Sequence, residues 1–282
     1  MTKKRQPATP AEKKATRAKF RKQELKHYAI NILRPLPKHQ VKLVIFGQGR
    51  SGSTLLESLI ASTGSFRAHG ERLSPFYRTR FHRGEARFPV SYIHGLVKQT
   101  PQNFIFHLKP RHLMGPQKGI RKKMGERKKA IAPARVLRDF QRYGWQVLYL
   151  RRRNRVKHAL SNLVRNHRGY GHKLDDAPER YRLRVDCDDF VQRVAEKLEV
   201  EQIEQDALRG IDFQEVVYED HLENAALHQP TIDRILQAVS LEPTAVTTEH
   251  RKVNTQSMAD LIENYDEFSQ RIIDQGWGHF LD

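Results

Sequence analysis

The 282-residue chain holds a single cysteine, Cys187, which excludes an internal disulfide framework and any metal site built on several thiolates. It also lacks long apolar runs. No stretch approaches the roughly 20 residues that a membrane-spanning helix needs, and the mean hydropathy is −0.72. The opening segment, MTKKRQPATPAEKKATRAKF, has no apolar core of the kind a secretory signal carries. These absences lead us to expect a soluble, cytoplasmic protein. Its length suits one large α/β domain, or two small ones, with a real core.

Acidic residues are scarce where basic ones are dense. The net charge of +19 is unevenly spread: residues 1–40 hold 12 basic and 2 acidic residues, residues 41–172 hold 28 and 5, and residues 173–282 hold 11 and 25. A generic polyanion binder does not need so acidic a final third. No helix-turn-helix, zinc-finger or aromatic RNA-binding signature is present either, which argues against a nucleic-acid partner. Most of the Lys and Arg read as solvated surface, but their concentration in the middle third points to an anionic ligand or substrate.

Residues 1–40 read as a basic N-terminal segment: a mobile tail to about residue 24, with a helical alternative in its Ala/Lys part, then a short helix in ELKHYAINILRPLP that Pro35 and Pro37 halt. Residues 41–282 read as one domain. VKLVIFG is a strand, apolar in five of its six non-glycine residues and ended by a glycine. NFIFHLK, WQVLYLR and DFQEVVYED read as further strands. STLLESLIAS, PARVLRDFQRYG, NRVKHALSNLVRNH, PTIDRILQAV and MADLIENYDEFSQRIIDQ read as helices. DDFVQRVAEKLEVEQIEQDAL reads as a long one, with Phe190, Val194, Leu198 and Ile203 near helical spacing. Alternating strands and helices predict an α/β fold in three layers, P-loop-like, with a central parallel sheet flanked by helices.

GQGRSGSTLL follows the first strand and opens the first helix of the domain. A strand, a glycine-rich turn and a helix N-terminus make an anion site, because free N–H groups point outward and the helix dipole adds roughly half a positive charge. Gly47 and Gly52 permit the tight turn, Ser51, Ser53 and Thr54 offer hydroxyls, and Arg50 brings a guanidinium. A triphosphate-hydrolysing loop would carry a lysine where Ser53 stands. The loop therefore suits phosphate better than γ-phosphoryl transfer. After the later strand, LYLRRRNRVKHALSNLV places Arg153 at the strand end and Ser161 eight residues on, in the next helix. Such a pair can hold one phosphate from two sides.

Together the two segments resemble the PAPS-dependent sulfotransferases, which use 3′-phosphoadenosine 5′-phosphosulfate as donor. RSGSTLL is similar to the Arg-containing version of that family's first motif in carbohydrate and tyrosyl sulfotransferases, and Arg153 with Ser161 matches its second. The resemblance spans roughly residues 41–275 and looks closest to bacterial members. It implies that Arg50, Ser51, Gly52, Ser53, Thr54 and Leu55 cradle the 5′-phosphosulfate, and that Arg153 and Ser161 bind the 3′-phosphate. RKVNTQSMADLIENYDEF resembles a C-terminal segment of bacterial members, in which Arg251 and Lys252 would close over the nucleotide. VVYEDHLEN is similar to a Tyr-Glu-Asp stretch whose role there is structural.

The implied reaction is in-line sulfuryl transfer to a hydroxyl on a glycan, a tyrosine or a small molecule, without a metal. Arg50 is the candidate for charge on the leaving phosphate. In AHGERLSP, Glu71 stands where the glycan and tyrosyl members place a catalytic glutamate, and it is the first candidate for the base. HLKPRHLM is similar to the cytosolic branch's Lys-Thr-His-Leu-Pro stretch, giving Lys109 as donor to the sulfuryl group and His112 as the second candidate for the base. The basic loop from Lys118 to Lys129 would favour an anionic glycan or an acidic peptide as acceptor, if it faces one. The rival readings are a P-loop kinase-like nucleotide enzyme and, behind it, a basic nucleic-acid-binding protein.

Overall fold

The computed structural model describes residues 9–74, 86–114, 131–168, 182–250 and 256–281. Five strands, β1 (Lys42–Phe46), β2 (Phe66–Ala68), β3 (Asn103–Leu108), β4 (Trp145–Arg151) and β5 (Phe213–Val217), form one all-parallel sheet in the order β2-β3-β1-β4-β5. Lys42 lies level with Phe104 on one side and Trp145 on the other, so the strands next to β1 finish at a common edge.

Helices cover both faces, which is why the strands read as continuous apolar runs. On one face Val44, Phe46, Phe104, Phe106 and Val147 meet α3 (Pro89–Val97), α5 (Pro133–Arg142) and α7 (Cys187–Leu208). On the other, Leu43, Ile45, Ile105, Leu148 and Val216 meet α2 (Ser53–Ser62) and α9 (His228–Gln237). The alternation follows from the two-residue period of a strand. A third cluster joins α6 (Arg155–Arg168) and α7 to α10 (Met258–Leu261) and α11 (Tyr265–Asp274). The expected three-layer α/β architecture with a parallel central sheet is the one observed.

Four local expectations need correction. The N-terminal helix is not short: α1 runs from Pro10 to Leu33 and takes in the Ala/Lys part, the helical alternative to a tail there. It starts at a capping box in which Glu12 N–H donates to Thr9 Oγ1 at 3.2 Å and Thr9 N–H to Glu12 Oε2 at 2.8 Å. Packing on α3 fixes it there. Buried Glu24 accepts the Phe88 N–H at 2.7 Å, and a Cβ on Gly95 would lie 2.1 Å from the His27 carbonyl, so only glycine allows the approach.

The C-terminal helix is broken in two. Ile262 leaves the helix to bridge Leu183, and the Asn264 side chain exchanges hydrogen bonds with the Val185 backbone at 2.9 Å each way. Tertiary pairing overrides helix propensity there. β2 and α3 are additional elements, so the sheet has five strands rather than four. In α7 the buried stripe holds Phe190 and Val194 as expected, but continues through Lys197, Val200 and Glu204 instead of Leu198 and Ile203. Among the described residues no helix is long and apolar enough to cross a membrane.

Candidate anion-binding and catalytic site

The chain leaves β1 toward β2 and leaves β4 toward β5, in opposite directions across the sheet. A crevice therefore opens at the C-terminal edge between β1 and β4, the usual place for a ligand in an open α/β sheet. The loop from Gly47 to Gly52 and the turn from Arg152 to Asn154 both lie there.

The loop is tightly specified. Gly47 has φ 154°, and a Cβ on it would stand 2.1 Å from the Leu150 carbonyl oxygen. Gly52 has φ 96°, with the Tyr218 ring 2.7 Å from where a Cβ would be. Ser51 is buried and its Oγ donates to the Gln48 carbonyl at 2.7 Å, so this hydroxyl holds the loop. Arg50 adopts φ 73°, a left-handed conformation that costs a non-glycine residue energy. Among the described residues no side chain caps the N-terminus of α2, and a helix start of this kind favours an anion.

Three segments converge at Ser53: α2, the turn carrying Glu71, and the chain that follows β3. Lys109, following β3, donates from Nζ to Ser53 Oγ at 3.0 Å and lies 3.6 Å from Glu71 Oε1. Arg111, in α4 (Pro110–Met114), donates to Glu71 Oε2 at 3.1 Å. His112 Nδ1 accepts the Lys109 backbone N–H at 3.2 Å, which leaves the ring proton on Nε2, 3.3 Å from Glu71 Oε2. Burial raises the Glu71 pKa, but His112, Lys109 and Arg111 outweigh it and hold the carboxyl far below its ordinary range. Burial pushes His112 down to about 4. With Nδ1 occupied by a buried N–H, His112 orients Glu71 and is poorly placed to take a proton itself.

Glu57 connects this cluster to the phosphate loop. It sits on the inner face of α2 and accepts the His69 and Gly70 N–H groups at 3.1 and 2.7 Å, fixing the turn that carries Glu71. Its other oxygen lies 3.2 Å from His107 Nε2 on β3. Burial raises its pKa, while His107 and the two N–H groups bring it below its ordinary value.

The second motif lies at the C-terminal end of β4. Arg153 is paired with Asp220, and Glu219 accepts its backbone N–H at 2.8 Å and that of Asn154 at 3.2 Å. The Ser161 hydroxyl donates back to the His158 carbonyl at 2.7 Å. Arg50 lies among cations: burial lowers its pKa, and Arg165 and Arg152 lower it further. Arg152 stacks over Tyr218, 4.7 Å from the ring centroid, and lies 3.4 Å from Glu219. The Tyr218-Glu219-Asp220 stretch, in α8 (Tyr218–His221), thus braces both motifs, Tyr218 against Gly52 and Glu219 under Arg153.

Ser53, Glu71, Lys109 and His112 are therefore brought together, whereas Arg50 faces Arg152 and Arg165. Arg111, Glu57, Arg152 and Arg165 are the residues sequence reasoning missed. A carboxylate at Glu57, amid the apolar stripe of α2, was the one signal that could have been read. Arg251, Lys252 and the loop from Lys118 to Lys129 lie outside the described residues. Among the described residues no group of three or more His, Cys, Asp or Glu could hold a metal ion. Comparison with known proteins gives no matching family model and no matching curated relative.

Proposed function

We propose that the protein is a sulfotransferase that moves the sulfuryl group of 3′-phosphoadenosine 5′-phosphosulfate to an acceptor hydroxyl. One observation carries the reading: cations gather at two points around the loop between β1 and α2. Lys109 donates to Ser53, and Arg50 lies near Arg152 and Arg165. A donor with anionic groups at two places on its nucleoside fits such an arrangement. The uncapped N-terminus of α2 supports placing the phosphosulfate there.

In this reading the loop N–H groups, Ser53 and Thr54 hold the 5′-phosphosulfate. Lys109 donates to the oxygens on which charge grows as the sulfur–oxygen bond to the 5′-phosphate breaks. The acceptor oxygen forms the new bond to sulfur, its proton passes to Glu71, and adenosine 3′,5′-bisphosphate leaves with the bond's electron pair. Glu71 is too acidic for this role while Lys109 and Arg111 both serve it. Donor anions drawing those cations away would raise its pKa toward the useful range. Arg153, turning from Asp220 to the ligand, and Ser161 would hold the 3′-phosphate.

The Lys109–Ser53 contact also favours a second reading. A lysine delivered to the helix N-terminus would equally serve a nucleoside triphosphate in a P-loop kinase-like enzyme. Transfer of labelled sulfate from the donor to a panel of glycans, peptides and phenols separates the two. Labelled product is expected with at least one hydroxyl acceptor. Donor turnover with none, alongside magnesium-dependent ATP turnover, would select the kinase-like reading.

A further inference from the structure

Beneath the phosphate loop lies a buried polar cluster for which the proposed reaction has no use. Lys197 and Glu204, 5% and 1% exposed, sit on the inner stripe of α7. His158 reaches them from α6, Gln48 from the loop and Tyr149 from β4. Gln48 Nε2 donates to the Lys197 carbonyl at 3.0 Å and to Glu204 Oε2 at 3.4 Å. The Tyr149 hydroxyl donates to the same carboxyl oxygen at 3.4 Å. Glu204 Oε1, Gln48 Oε1 and His158 Nδ1 are buried without hydrogen-bond partners among the described residues.

Two donors converge on one loop carbonyl. His158 Nε2 lies 2.8 Å from Gly49 O, and Lys197 Nζ lies 3.5 Å from the same oxygen. A carbonyl only accepts, so the His158 ring keeps its proton on Nε2. That nitrogen, 3.3 Å from Lys197 Nζ, then has no lone pair for the lysine. Among the described residues the Lys197 amine is left with one long hydrogen bond in the interior, poor terms on which to bury a positive charge.

The Gly49 carbonyl and the Arg50 N–H belong to one planar trans peptide, so they point in opposite directions. A group that draws Gly49 O inward aims Arg50 N–H out toward the crevice. We propose that Lys197 is a positioning residue of the phosphate loop whose charge is coupled to the anion bound there. An anion on the loop draws one proton from solvent onto Nζ, and the resulting ammonium holds the Gly49 carbonyl and with it the Arg50 N–H. The one bond formed is N–H, on Lys197 Nζ, with the proton supplied by solvent. The inference rests on the loop's being an anion site, as in the proposed function, but not on which anion fills it.

The surroundings fit this coupling. Burial brings Lys197 down to about 7; Glu204 opposes the shift, and Arg111, Lys109 and Arg155 add to it. Burial pushes Glu204 up to about 8, with Gln48, Lys197 and Arg155 opposing and Glu201 adding. His158 is held well below its ordinary value by burial and by Lys197, and stays neutral. A group poised near neutrality gains a proton when a negative charge arrives, and binding weakens as pH rises through that range.

The test is calorimetric titration of the full chain with adenosine 3′,5′-bisphosphate and with inorganic phosphate. It is run between pH 7.5 and 9, above the phosphate's own ionisation, in two buffers of different ionisation enthalpy. The wild-type protein is expected to take up as much as one proton per anion, with affinity falling by up to about tenfold per pH unit. Lys197→Met is expected to bind more weakly, with that uptake gone and a flatter profile. Glu204→Gln removes the carboxylate that opposes the Lys197 shift, so it should move the falling limb to lower pH, and it serves if Lys197→Met does not fold. Equal proton uptake in the wild type and both variants overturns the inference and leaves the donor reading standing. Proton-linked binding of phosphate without binding of the bisphosphate overturns the donor reading and keeps the inference. Binding of neither overturns both.

Discussion

The Lys109 ammonium donates to the Ser53 hydroxyl at 3.0 Å. In sequence the two are 56 residues apart, and the parallel pairing of β1 with β3 brings them to one edge. The place where a triphosphate loop would carry its own lysine thus has a serine that receives one from the neighbouring strand. Lys109 also lies 3.6 Å from Glu71, so one cation links the helix N-terminus to the candidate base.

Lys109→Met should keep the fold, since the side chain is buried and methionine has similar length. Transfer should fall by about two orders of magnitude or more, as for loss of one preorganised donor to developing charge. Steady-state turnover of the labelled donor is the readout. A variant within a factor of three of wild type would remove Lys109 from the chemistry.

Glu71→Gln should lower transfer by about 100-fold or more, the usual scale of general-base catalysis. Binding of adenosine 3′,5′-bisphosphate should persist, because Lys109 and Arg111 are released rather than lost. Parallel turnover and calorimetry distinguish this from a binding defect. Near-normal turnover would contradict the assignment.

Arg50→Gly should stabilise the protein while weakening donor binding. The left-handed backbone at φ 73° costs about 1 kcal/mol in arginine and little in glycine, and a half-buried cation near Arg152 and Arg165 is removed. Denaturant midpoints and bisphosphate affinity should move in opposite directions. A destabilised variant that still binds normally would show that Arg50 is structural.

Stability should fall as pH drops from about 6.5 toward 4. Burial brings His94 and His112 down to about 4 each. The unfolded chain therefore binds more protons in that window, and each histidine withdraws up to about 1.4 kcal/mol per pH unit. His94 must also stay neutral to accept the Trp145 indole N–H at 3.0 Å in the aromatic core. Urea unfolding at pH 7.5 and 5.0 checks this; equal stability at the two values would contradict it.

What the sequence disclosed followed from strong local signals. β1, β3 and β4 are apolar runs buried on both faces, and the glycines of the first loop mark a turn that Leu150 and Tyr218 leave too narrow for any side chain. β2 is three residues long and its first residue alone is buried, so it carries no periodic pattern. The length of α1 depends on Glu24 meeting Phe88 and on His27 meeting Gly95 of α3, which no local rule anticipates. Lys197 and Glu204 look like ordinary surface charges until α7 is rotated by its packing on α6 and the sheet. The side on which Arg50 lies is set by one positive φ, invisible in the residue string.

The central claim is tested most directly by calorimetric titration of the wild-type chain with adenosine 3′,5′-bisphosphate in EDTA, against ATP with magnesium. The account predicts saturable bisphosphate binding that EDTA leaves unchanged and that exceeds the binding of ATP. Magnesium-dependent ATP binding with no response to the bisphosphate would contradict it.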